Sequence, residues 1–140
     1  MSSMQVEIVS AEALIFSGTA RMFVAPGVMG ELGILPQHTP LLTRIKPGEC
    51  KLVTEEGDEQ FFYVSGGMLE ILPQGVTVLA DTALRAVDID EAKALEAKER
   101  AEKTLSDRKD DVDYAAAEAE LLEAIAQLRT LQRIKKQVRK

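Results

Sequence analysis

One hundred and forty residues hold one ordinary domain, or a small one with an appendage, which excludes an elaborate multidomain enzyme. A chain that is 46% hydrophobic and 29% charged is globular in composition, and its net charge of −6 sets any broad nucleic-acid surface against the protein's own field. One cysteine, Cys50, and one histidine, His38, exclude an intramolecular disulfide and a Cys/His zinc site and fit a reducing compartment. The first residues lack the basic start and apolar run of a signal peptide, and no stretch approaches the ~20 apolar residues of a membrane span, so a soluble chain is expected.

All nine Gly and all five Pro lie at or before Gly75, while ten of the seventeen Ala lie after Val87. The chain therefore changes character near residue 87. Before it, β-prone runs of strand length predict strands over Gln5 to Val9, Ala20 to Ala25, Leu41 to Ile45, Cys50 to Thr54, Gln60 to Ser65, Met68 to Leu72 and Val76 to Ala80. Turn signals every 8 to 12 residues, clearest at Glu55-Glu-Gly-Asp-Glu59 and Leu72-Pro-Gln-Gly-Val76, predict an all-β sandwich over 1–86 in two packed sheets.

From Val87 the period becomes helical. Asp88 is placed to cap a first helix, with Glu91 reaching back, and the apolar stripe Ala94, Ala97, Ala101 and Leu105 carries that helix from Ile89 to Leu105. Polar residues 106–111 break the pattern. A second helix begins near Asp113 and runs almost to the end, with Tyr114, Ala117, Leu121, Ala124, Leu128 and Leu131 spaced alternately by three and four. Facing stripes of small and large residues predict an antiparallel α-helical hairpin over 87–140. An Ala-rich seam buries little area at about 25 cal/mol per Å², so the hairpin must lean on the β domain or on a partner.

Charge is divided along the chain. Residues 1–86 carry ten acids and five bases, residues 87–128 thirteen and six, and residues 129–140 six bases and no acid. Arg129, Arg133, Lys135, Lys136, Arg139 and Lys140 thus form a cationic tip, which serves a helix C-terminus and solubility or docks onto an acidic partner.

No residues assemble into a catalytic set. Gly27-Val-Met-Gly30-Glu-Leu-Gly33 has phosphate-loop spacing, but Pro36 follows and no helix opens there. There is no Gly-Lys-Ser/Thr phosphate loop, His38 has no evident nucleophile or metal co-ligand, and Ser65-Gly-Gly67 without a nucleophile elbow marks a bulge or a close backbone approach. Cys50 alternates with Leu52 and reads as core or as covered by a partner. Neither a metal nor a cofactor is expected.

Gly30-Glu-Leu-Gly-Ile34 with Pro36 and His38-Thr-Pro-Leu41, Val64-Ser-Gly-Gly67 with Leu69-Glu70, Val76-Thr-Val-Leu-Ala-Asp-Thr-Ala83, Asp111-Val-Asp-Tyr114 and Ala124-Ile-Ala-Gln-Leu-Arg129 occur in order over essentially the whole chain. Together they resemble the epsilon subunit of the bacterial F-type ATP synthase. The resemblance implies a non-catalytic rotor component on the cytoplasmic face of the inner membrane, touching the membrane only through its complex. Its sandwich would join the gamma subunit to the c ring, and its hairpin would extend into the catalytic alpha and beta subunits and restrain ATP hydrolysis. By position, Glu31 resembles the acidic contact to the c ring and His38 a residue at or near the gamma interface. Some relatives bind ATP through an Ile/Leu-Asp-x-x-Arg-Ala segment, which Ile89, Asp90 and Ala94 match, whereas Lys93 replaces the Arg. An ammonium does not reproduce a guanidinium fork, and Glu123 and Gln127 stand where strong binders carry cations, so weak nucleotide binding at most is implied. The competing reading is a binding module whose basic C-terminal helix holds nucleic acid or an anionic membrane. It lacks aromatic stacking residues at the tip, and the other surfaces are acidic.

Overall fold

Alternation of apolar and polar side chains builds ten short strands, followed by two helices, in the computed structural model, which describes residues 3–107 and 111–138. The strands are β1 (Met4–Ser10), β2 (Leu14–Ala20), β3 (Met22–Gly27), β4 (Gly30–Ile34), β5 (Leu41–Ile45), β6 (Gly48–Val53), β7 (Glu59–Val64), β8 (Gly67–Leu72), β9 (Gly75–Ala80) and β10 (Ala83–Arg85). Hydrogen bonding follows one path, β10-β7-β6-β3-β5-β8-β9-β1-β2, with β4 on β3. The path bends over at β3, which meets β6 through Met22 to Val24 but β5 only at Gly27. Two layers result. Val6, Ile8, Leu69, Ile71 and Val78 from one layer and Cys50, Leu52, Phe62 and Val64 from the other fill a single core. The free ends of the path approach each other: the Phe16 and Phe62 ring centroids lie 5.4 Å apart, and the Arg85 guanidinium donates to the Ile15 carbonyl at 3.1 Å.

The expected sandwich is present, with three strands beyond the seven predicted. The run Ala20 to Ala25 is two strands, because the chain turns at exposed Arg21, whose N–H donates to the Val53 carbonyl at 2.9 Å. In β4 two glycines dilute the strand signal, and β10 is three residues long. Both predicted hairpin tips form: Thr54 donates to the Asp58 carbonyl around Gly57 at φ +96°, and Leu72 pairs with Gly75. Gly67 lies between β5 and β9, and a Cβ there would stand 2.0 Å from the Leu79 carbonyl oxygen, so Ser65-Gly-Gly67 is a close backbone approach. Cys50 is a core residue, and burial, with the neighbouring Glu49 charge, pushes its thiol pKa up.

A 3-10 turn, Ala86–Asp88, leads to α1 (Glu91–Asp107) and α2 (Asp111–Val138). The cap is Asp90, whose carboxylate accepts the Lys93 N–H at 3.1 Å, and not Asp88. Ile89 has extended backbone and a buried side chain, which holds the chain out of helical geometry until Asp90. The helices pair through the predicted seam: Ala94, Ala101, Ala117 and Ala124 are buried, and Leu105, Leu121 and Leu128 are half-buried. Tyr114, placed in that seam by its spacing, is exposed.

The hairpin lies along the sandwich, with α2 against β6 and β7. In β7, Phe62 and Val64 enter the sandwich core, while Tyr63 on the opposite face packs with Ile89, Ala126, Leu84 and Leu131. A second face of α2, Ala126 and Thr130, is consequently buried, and the Thr130 hydroxyl donates to the Ala126 carbonyl at 2.8 Å. The Tyr63 hydroxyl is sealed under α2 beside Gln127 without a well-formed hydrogen bond; burial and the Glu123 charge push its pKa up to about 12.

The sandwich core contains no hairpin side chain, so a chain ending at Val87 should unfold in one cooperative thermal transition; a non-cooperative melt would place the boundary elsewhere. Because Tyr63 holds its proton more tightly when folded, its contribution is complete below pH about 10 and is lost as pH rises through about 12. Thermal unfolding across alkaline pH should therefore show destabilisation that Tyr63→Phe reduces, the remainder including the contribution of the buried Cys50 thiol, which is likewise held protonated by folding. At neutral pH, Tyr63→Ala should cost about 3–5 kcal/mol and Tyr63→Phe little.

Candidate partner-binding surfaces

The glycines of Gly27-Val-Met-Gly30 pair across a two-residue turn between β3 and β4, with Gly30 at φ +132°. The segment is thus a hairpin tip and not a phosphate cradle. It raises Met29, 97% exposed, with exposed Val28, and Glu31 follows directly on β4. Glu31 lines a groove of about 420 Å³ between sandwich and hairpin whose opposite wall is Leu122, Ile125 and Arg129. The structure therefore brings Glu31 and Arg129, read separately from the sequence, to one site. His38 is half-buried in the loop between β4 and β5, its Nδ1 2.6 Å from the Thr39 carbonyl oxygen, and it does not line that groove. Exposed Leu35, Leu41 and Leu42 surround it in sequence.

Register reveals a surface that periodicity alone concealed. Arg44 on β5 pairs with Met68 on β8, Met68 with Leu79 on β9, Leu79 with Val9 on β1, and Val9 with Leu14 on β2 past an irregularity in β1. These positions alternate with core residues, so the row faces outward. Leu79 is 52% and Leu14 60% exposed, and the neighbouring row, Glu70, Thr77, Glu7 and Ser17, is polar. An apolar band crossing four strands on the solvent face marks a docking surface. The available signal was apolar residues at outward-alternating positions of three predicted strands, but only the pairing aligns them.

Along the cationic tip, Arg133 donates to Glu49 of β6 at 2.9 Å, and Lys135 to Glu91 of α1 at 3.0 Å. The Lys136 side chain, Arg139 and Lys140 lie outside the described residues. Of the segment resembling a nucleotide motif, Asp90 caps α1, Ile89 and Ala94 are buried, and Lys93 lines a cleft between α1 and α2. That cleft holds Asp88, Asp90, Glu96, Glu120 and Glu123 against Lys93 and Arg100, and Arg100 is paired with Glu120. Among the described residues, no group of His, Cys, Asp and Glu is arranged to hold a metal ion, and no helix is long and apolar enough to cross a membrane.

Residues 3–86 match the family model described as ATP synthase, Delta/Epsilon chain, beta-sandwich domain, and residues 88–132 match its long alpha-helix domain. The chain is 64% identical over 136 residues to the ATP synthase epsilon chain of Nitrosococcus oceani, covering 97% of each. It is 58% identical to that of Halorhodospira halophila, over the full length of both. Its fold is shared with a chain of the Euglena gracilis mitochondrial ATP synthase at a TM-score of 0.83 and 20% identity, covering 94% of this chain and 82% of that one. With both domains matched in order and close relatives spanning its length, this chain belongs to the family of ATP synthase epsilon subunits of the bacterial F-type enzyme.

Proposed function

We propose that this central-stalk subunit joins gamma to the c ring and restrains ATP hydrolysis through its hairpin, without chemistry of its own. The outward row Met68, Leu79, Val9 and Leu14 carries the reading, since an apolar band on a chain of net charge −6 calls for a permanent neighbour. Gamma is the neighbour assigned to it, with His38 at or near the margin of that contact. The tip bearing Met29 and Glu31 is the side assigned to the polar loops of the c ring, at the cytoplasmic face of the inner membrane. The cationic end of α2 is the part that would meet acidic surfaces of the catalytic beta and alpha subunits when the hairpin leaves the sandwich. No cofactor is assigned: five acids in the cleft beside Lys93 oppose a triphosphate, and the nearest guanidinium, Arg100, is already paired.

Leu79→Glu should leave the melting transition of the isolated chain nearly unchanged, because that position is 52% exposed, yet abolish co-purification of gamma, alpha, beta and c subunits from native membranes. Retained co-purification would remove the assignment. Enzyme assembled with the chain truncated after Val87 should hydrolyse ATP faster than the intact complex; equal rates would remove the restraining role. Calorimetry of the isolated chain should detect no ATP binding at submillimolar nucleotide, and a micromolar affinity would refute the electrostatic argument.

A further inference from the structure

We propose that Glu49 and Arg133 form a clasp that biases the end of α2 toward the sandwich and releases it readily. Among the described residues of the tip, Lys135 pairs with Glu91 inside the hairpin and travels with it, whereas Arg133 bonds to the β domain. Glu49 on β6 stands directly opposite Tyr63 on β7, so the charged clasp and the apolar seat of the hairpin are neighbouring parts of one contact. The two residues are 84 positions apart, and no local preference brings them together.

The clasp is half satisfied. One carboxylate oxygen accepts the Arg133 Nε–H at 2.9 Å, while Oε2 is buried without a partner. Its partial burial removes hydration that one hydrogen bond does not fully return, so opening, which hydrates both oxygens, costs little. A contact so balanced favours one position of α2 without locking it. It also commits the Arg133 Nε–H to Glu49 while the hairpin is down, so an outside acidic surface must compete with Glu49 for this half-exposed guanidinium. The proposal concerns the chain in isolation and is tested without the rotor assignment above.

The test is amide hydrogen exchange of the full chain, comparing residues 125–135 with strands β6 and β8, in Glu49→Gln, Arg133→Gln and the double variant. Each single substitution should speed exchange in 125–135 about two- to fivefold at low salt. The double should be no faster than either single, protection in the strands should be unchanged, and the difference should shrink as salt screens the pair. Unchanged exchange in the single variants, or a double variant whose acceleration is the product of the two, would overturn the clasp. Equal loss of protection in β6 and β8 would also overturn it, since the pair would then stabilise the whole fold.

Discussion

Strand β7 is apolar on both faces, and the arrangement of the whole chain depends on it. Phe62 and Val64 fill the sandwich, while Tyr63 emerges on the other side as the seat of the helices. A strand of a solvated sheet would carry polar residues at the outward positions, and the hairpin would then have nothing to rest on. Its own seam is largely alanine, which buries too little surface to hold two helices in place. The seat is also small, a few side chains around one ring. The hairpin is therefore held by a contact of modest size, which suits an element whose proposed work is to move.

Much of the architecture was legible in the sequence because glycine, proline and alanine are partitioned so sharply. The change from strands to helices and the seam of Ala94, Ala101, Ala117 and Ala124 follow from backbone preference and period, which are local properties. The misreadings were places where a non-local contact won. Asp88 and Asp90 are equally good caps by composition, and burial of Ile89 between them selects the second. The run from Ala20 to Ala25 reads as one strand until Arg21 turns to meet Val53.

The candidate surfaces divide along the same line. Glu31 and the basic tip are visible as isolated charges or as a charge run, and their residue types suggest contact with something polar. That Glu31 faces Arg129 across a groove, or that Arg133 is held by Glu49, depends on how α2 settles on the sandwich. The outward apolar row was the least accessible: each strand contributes one residue, and alignment comes from pairings between segments as distant as Val9 and Leu79.

The parallel pairing of β1 with β9 sets the order in which a newly made chain can assemble. Residues Gln5 to Ser10 can pair with β2 as soon as it is made but find their second neighbour only when Gly75 to Ala80 exist, so the first strand synthesised is enclosed only after almost the entire β domain. Such long-range pairing is slow to form, and until it does, Val6 and Ile8 lack half of their surroundings. Once it forms, the sandwich closes, and Tyr63 on β7 stands ready to receive Ile89, Ala126 and Leu131. The outward row through Leu79 and Val9 comes into being in the same step that completes the core.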